Sequence, residues 1–240
     1  MDEKTTALET RDLAKDYGDG PALHPLNLRV EIGERVALIG HNGSGKTTLL
    51  RMCTGLLDPA SGSVTVLGHR PGSLEARRAV SYLADTPTFY DDLSVREHLE
   101  YTARLHGFDD WADRADSLLD GLGIRERADD LPSRFSRGLK QKAAIAIAFI
   151  RPFRLLLVDE PFVGLDAEGK EALLELFDRA ADDGATLVVA THELSFVTRT
   201  NRTVALRDGR LVFDGPSSDA EARGLVSTGG SALEGTGFQP

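Results

Sequence analysis

From Leu26 to Ile32 the apolar residues Leu26, Leu28, Val30 and Ile32 alternate with Asn27, Arg29 and Glu31, the period-two pattern of a half-buried strand. Gly33-Glu34 then leads into the apolar run RVALIG, so this stretch predicts a β-hairpin. From Gly45 to about Leu57 the period becomes helical and Asp58-Pro59 closes it, after which SVTVL and AVSYLA read as short strands. Helical periodicity fills Ser94–His106, Asp110–Leu122 and Ser136–Ile150, which predicts a helical subdomain over residues 86–150 inserted into an α/β core. LLLV (Leu155–Val158) and TLVVA (Thr186–Ala190) are unbroken apolar runs, as expected of parallel strands covered on both faces, and Glu168–Asp182 between them is helical. Asp208-Gly209 within TVALRDGRLVFDG predicts a second hairpin. Past Pro216 there is one weak helical stretch and then Gly229, Gly230, Gly235 and Gly237, so the last dozen residues are expected to be mobile.

Composition narrows the setting. A globular chain of 240 residues buries roughly 70–75% of its unfolded surface, enough for a core without disulfide or metal staples. No repeat of fixed period occurs, which excludes a solenoid or propeller. With 28 basic and 38 acidic side chains the net charge is -10, so a polyanion meets repulsion and no nucleic-acid partner is expected. The lone Cys53 cannot form an internal disulfide, which fits a reducing compartment and a cytoplasmic address. The best apolar run, Ala143–Ile150, is far short of the roughly 20 residues of a membrane span, and the charged start MDEKTTALETRD lacks a signal-peptide core.

GHNGSGKTT, comprising Gly40, His41, Asn42, Gly43, Ser44, Gly45, Lys46, Thr47 and Thr48, satisfies G-x-x-x-x-G-K-[ST] between a predicted strand and a predicted helix. Glycines let successive backbone N–H groups curl around phosphates, the helix N-terminus favours negative charge, and Lys46 can reach the β- and γ-phosphates of a nucleotide. Thr47 supplies a hydroxyl for Mg²⁺. The strand Leu155–Val158 runs into Asp159-Glu160-Pro161, two carboxylates at the edge where open α/β sheets bind ligands. Asp159 is expected to support Mg²⁺, and Glu160 to polarise the attacking water.

SRGLKQK, Ser136–Lys142, lies between these motifs, with Ser136 a candidate N-cap. In this order the chain closely resembles the nucleotide-binding subunits of ABC transporters from about Leu8 to Gly215. FSRGLKQ stands at the family's signature loop, FVGLD ending at Asp166 at its D-loop, Thr191-His192-Glu193 at its switch histidine, and Tyr17 at the aromatic residue that stacks on adenine. The resemblance implies a P-loop NTPase core with a mainly parallel sheet, an N-terminal antiparallel β-subdomain and an inserted helical subdomain, all within one domain: residues 1–85 and 151–215 as the core, 86–150 the helical part and 216–240 an extension. It further implies an ATPase dimer, with a second copy or a homologous subunit, in which Ser136 and Gly138 meet the ATP held by the other phosphate loop. His192 would meet the γ-phosphate of its own chain's nucleotide. An integral membrane permease would be the other partner, holding the chain at the cytoplasmic face.

Two departures from the family pattern carry consequences. Arg137 and Leu139 replace the usual second glycine and the Gln or Glu of the signature, a variant that resembles exporter subunits more than importers. Asp85 stands where the family has a glutamine that touches Mg²⁺ or water; Gln141 and Gln239 are the chain's glutamines, and both lie elsewhere. An aspartate still offers oxygen to the metal but adds negative charge beside the phosphates. After it, TPTFYDDLSVREHL offers Phe89, Tyr90 and Leu93 either to a helix of the permease or to the packing of the helical subdomain, and Ser94 to Glu97 forms a capping-box pattern. The alternative function is a soluble or regulatory ATPase of the same family acting in complex assembly or DNA maintenance, although the long coiled coil of DNA-maintenance relatives has no counterpart here.

Overall fold

The structure, a computed structural model, describes residues 6–225, so the expected mobility of the last dozen residues lies outside it. In chain order the elements are β1 (Thr6–Asp16), β2 (Pro21–Glu31), β3 (Arg35–Ile39), α1 (Lys46–Thr54), β4 (Ser61–Val66), α2 (Leu74–Ala79) and β5 (Val80–Leu83). The helices α3 (Val95–Leu105), α4 (Trp111–Gly121) and α5 (Arg137–Phe149) follow. The chain continues through β6 (Leu155–Asp159), α6 (Ala167–Asp182), β7 (Thr186–Ala190), α7 (Leu194–Val197), β8 (Arg202–Arg207), β9 (Arg210–Pro216) and α8 (Ser217–Ala222).

Two sheets result. One is antiparallel with order β2-β1-β4; the other has order β5-β6-β7-β3-β8-β9, parallel except for the final β8–β9 hairpin. The predicted opening hairpin is therefore corrected: β2 pairs with β1, and β3 lies in the other sheet between β7 and β8. The reason is burial. Val36 to Ile39 are all buried, and a strand covered on both faces belongs at the centre of a parallel sheet, where both of its edges are already used. Gly33 turns the chain between the sheets, its N–H donating to Thr186 Oγ1 at 2.9 Å.

Alternate residues of the central strands feed two cores. Val36, Leu38, Leu155, Leu157, Val188 and Ala190 pack with Leu49, Leu50, Met52 and Cys53 of α1 and with the inner face of the antiparallel sheet. Ala37, Ile39, Leu156, Val158, Leu187 and Val189 pack on the other side, against α3, α4, α5 and α6. The period-two geometry of a strand thus assigns α1 to one face and the helical layer to the other. The α/β class expected from the sequence is the fold observed.

Helix ends follow local chemistry. Ser94 and Glu97 form both bonds of a capping box at α3, Ser136 accepts from the Leu139 N–H at α5, and Asp166 accepts from the Gly169 N–H at α6. Helix α1 stops at Thr54, short of Leu57, because Gly55 takes the left-handed conformation at φ 78°. At the far end of α5, where the last turn has no basic residue of its own, Arg114 Nε donates to the Phe149 carbonyl at 2.9 Å.

Candidate active site

The phosphate loop follows β3, Asp159 ends β6, and His192 follows β7. These strands are neighbours in the order β6-β7-β3, so the three segments meet at one C-terminal sheet edge although far apart in sequence. Asp85 follows β5, the next strand outward.

Helix α1 begins at Lys46 behind Gly45, with no side-chain cap and no acidic residue in its first turn. Its leading N–H groups are left for an anion, the usual property of an uncapped N-terminus opening from a glycine loop. Two glycines of the loop are sterically obligatory. A Cβ on Gly40 would collide with the Leu206 carbonyl, and one on Gly45, at φ 102°, would lie 2.9 Å from the Ala22 carbonyl oxygen.

Lys46 is buried at 5% exposure, and its ammonium bonds the Gly40 and His41 carbonyls of its own loop. The Lys46 Nζ also lies 3.4 Å from Glu160 Oε1, and His192 Nε2 lies 3.1 Å from the same oxygen. Both are close polar contacts without hydrogen-bond alignment, since Oε1 has no hydrogen-bond partner. Glu160 has φ 45°, which for a side chain with Cβ costs about 1 kcal/mol and persists only where neighbours fix it. Here its N–H donates to the Ala190 carbonyl at 2.8 Å, and Pro161 follows directly. The strained turn points the carboxylate to Lys46 and His192 instead of along the strand.

Asp159 is fully buried, and neither carboxylate oxygen has a hydrogen-bond partner. Burial holds its pKa above the usual carboxylate value, with Glu160 and Asp85 adding to the rise and Thr47 and Lys46 opposing it. A buried, donor-starved carboxylate beside a threonine hydroxyl is a donor set that fits a hard divalent cation. Tyr82 shares this neighbourhood. Its hydroxyl is buried without a partner, and burial, then the charge of Asp159, pushes its pKa up to about 12. Asp85 itself is exposed, near enough for its charge to raise both Asp159 and Tyr82.

The remaining predicted residues lie farther out. Tyr17 is 58% exposed, and Lys15 Nζ lies over its ring, 5.4 Å from the centre. Ser136 and Gly138 belong to α5, on the opposite side of the sheet from α1. Asp166, besides capping α6, lies 3.1 Å from Lys142 Nζ. Phe89 packs inward, edge-on to His98 at 5.5 Å between ring centres, while Tyr90 is 54% exposed and stacks on the outer side of the same imidazole. His98 is buried; its Nε2 accepts from the Tyr90 N–H at 2.9 Å and its Nδ1 bonds the Ser94 carbonyl at 2.7 Å, which fixes the neutral tautomer protonated at Nδ1.

Sequence reasoning did not anticipate that the β8–β9 turn buttresses the phosphate loop. Gly209 N–H donates to the Ser44 carbonyl at 3.1 Å, and Asp208 Oδ1 lies 3.2 Å from His41 Nε2. The Asp-Gly pair signalled a turn, but nothing local signalled what the turn would touch.

Residues 23–163 match the sequence profile of the ABC transporter family. The chain belongs to the ABC transporter family. Among the similar family members, the SkfA peptide export ATP-binding protein SkfE of Bacillus subtilis (strain 168) is 35% identical over 210 residues, covering 86% of this chain and 88% of that one. The aliphatic sulfonates import ATP-binding protein SsuB 1 of Paracoccus denitrificans (strain Pd 1222) is 38% identical over 213 residues, covering 87% and 82%. A solved structure of the ATP binding subunit of an ABC transporter superimposes with a TM-score of 0.83 at 33% identity, over 93% of this chain and 95% of the other. The chain is an ATP-binding ATPase subunit of this family. Among the described residues no helix is long and apolar enough to cross a membrane.

Proposed function

We propose that this chain binds MgATP at the β6-β7-β3 edge, hydrolyses it as a dimer with a second cassette, and drives a separately encoded permease in the export direction. The observation that carries the reading is the convergence of Lys46 and His192 on one carboxylate oxygen of Glu160, above an uncapped helix N-terminus. Lys46 and the loop amides hold the β- and γ-phosphates, and His192 contacts the γ-phosphate. Glu160 accepts a hydrogen bond from the attacking water and aligns it. Thr47, Asp159 and Asp85 hold Mg²⁺, which when bound neutralises charge on the β- and γ-phosphate oxygens. Tyr17 stacks on the adenine.

The reading includes a second cassette: Ser136 caps and Gly138 lies on the helix that covers the sheet face opposite α1, a placement that supports their completing the site of a facing copy. Asp166, at the start of α6, lines the same interface. Exposed Tyr90 offers an aromatic contact to the permease. Support for export comes from Arg137 in the signature and from the peptide-export relative; the sulfonate-import relative makes direction the point to test.

The test is affinity capture of Glu160→Gln protein with MgATP from detergent-solubilised native membranes, with co-purified chains identified by mass spectrometry. The expected result is a stoichiometric polytopic partner, whose cargo direction is then read in vesicles loaded on one side. Soluble partners alone, with the nucleotide-bound protein intact, would move the function to a cytosolic assembly or regulatory ATPase.

A further inference from the structure

Gln141 is 4% exposed on α5, and its Nε2 donates to the Pro161 carbonyl at 3.0 Å. Pro161 is the residue after Glu160, so this bond ends on the peptide next to the left-handed turn that aims the carboxylate. The other side of that turn is held by the Glu160 N–H on the Ala190 carbonyl at 2.8 Å. A conformation at φ 45° persists where its surroundings over-determine it, and the Gln141 bond adds a second fixing point beside the Ala190 carbonyl.

The same helix grips the rest of the loop. A Cβ on Gly138 would lie 2.5 Å from the Gly164 carbonyl oxygen, so the two backbones are in direct contact. Lys142 Nζ lies 3.1 Å from Asp166 Oδ1 at the loop's end. Beginning, middle and end of residues 161–166 are thus each docked on one turn and a half of α5, whose first residues follow Ser136.

We propose that Gln141 is a positioning residue for Glu160, transmitting the placement of α5 to the water-polarising carboxylate of the same chain. This rests on the role assigned to Glu160 above. Gln141 touches neither nucleotide nor water; it acts through the Pro161 peptide. A neutral amide suits the task, because it donates to a carbonyl without adding charge beside a buried carboxylate pair. When a facing nucleotide draws the Ser136 end of α5 toward it, Gln141 carries that movement to the Glu160 turn.

The experiment compares Gln141→Met, which keeps the volume and loses the donor, with Glu160→Gln and the double variant. Steady-state kcat of Gln141→Met is expected to fall by about tenfold to a hundredfold, the range for a small misplacement of a reacting group. Binding of a fluorescent ATP analogue should stay within about twofold of the parent, because the phosphate loop is untouched. In single-turnover measurements the double variant should be no slower than Glu160→Gln alone, as expected of residues that act as a unit. Gln141→Asn, whose amide is one methylene short, should fall between parent and Met, and it decides by the same criteria if the Met variant does not fold. An unchanged kcat, a loss of nucleotide binding by the same factor as kcat, or multiplicative losses in the double variant would each overturn the proposal. If Glu160→Gln itself turns over normally, the assigned role of Glu160 fails; if it is inactive and Gln141→Met is normal, the inference about Gln141 alone fails.

Discussion

Asp159 carries an electrostatic cost in the fold. Its carboxylate is fully buried with no hydrogen-bond partner, and burial raises its pKa above the ordinary value of 3.8. For an acid with a raised folded-state pKa, the folded state binds the proton more tightly, so stability is lost as pH rises through that value. Removing the charge should reverse the loss. Asp159→Asn is expected to stabilise the nucleotide-free protein by about 1 kcal/mol at pH 7, or roughly 2–4 °C in melting temperature, while abolishing Mg²⁺-dependent turnover. The stability gain should shrink as the pH falls below the raised value and be gone below the ordinary value of 3.8, which melting curves across the acid range would check. Glu160, next to it at the same strand end, carries backbone strain at φ 45°. Two residues of the candidate site thus each cost the fold stability, the usual exchange between stability and function.

Among the elements, α5 has the most to do. Its hydrophobic side packs under the sheet, its capped start carries Ser136, and its flank of Gly138, Gln141 and Lys142 meets the 161–166 loop. Gly138→Ala should favour the helix locally but put a methyl 2.5 Å from the Gly164 carbonyl oxygen. We expect a net loss of about 1–3 kcal/mol by denaturant titration together with impaired ATP turnover, because backbone in the loop is what must give way. Elements of this kind were legible where local chemistry was complete: the capping box of α3, the N-cap of α5, the unbroken apolar runs of β6 and β7. Strand β1 was not. Its pairing slips between Thr10 and Leu13, where Asp12 adopts φ 47°, so no clean alternation survives in TALETRDLAKD. Missing β1 left β2 without its partner, which is why β2 and β3 read as a hairpin. Helix α2, with six residues, is too short to show a period.

For the whole molecule, the sheet separates what the site needs into two groups. Phosphate loop, carboxylates and His192 share one edge, while the start of α5 belongs to the layer on the other face. The proposed pairing of two copies would bring the two groups together. Glu160→Gln protein with ATP is expected to double its mass in light scattering and to return to the monomer mass with ADP; an ATP-bound monomer at micromolar concentration would remove the sandwich arrangement. Each copy carries a net charge of -10, so the pairing should strengthen as salt rises from low ionic strength.

The sequence by itself determined the chemistry: a glycine loop that opens a helix, a carboxylate pair after a buried strand, a capped helix after FSRGLKQ, and the turn at Asp208-Gly209. Those signals are local, because turn geometry, capping and strand burial depend on residues a few positions apart. The tertiary structure decided what meets what. Strand order brought Lys46, Glu160 and His192 within 3.4 Å of a shared oxygen, strand alternation set α1 and α5 on opposite faces, and packing laid Gln141 against the peptide after Glu160. Such contacts join residues from 20 positions apart, as Gln141 and Pro161, to 114, as Lys46 and Glu160, and their energy comes from burying whole elements together, a quantity that no short window of sequence contains.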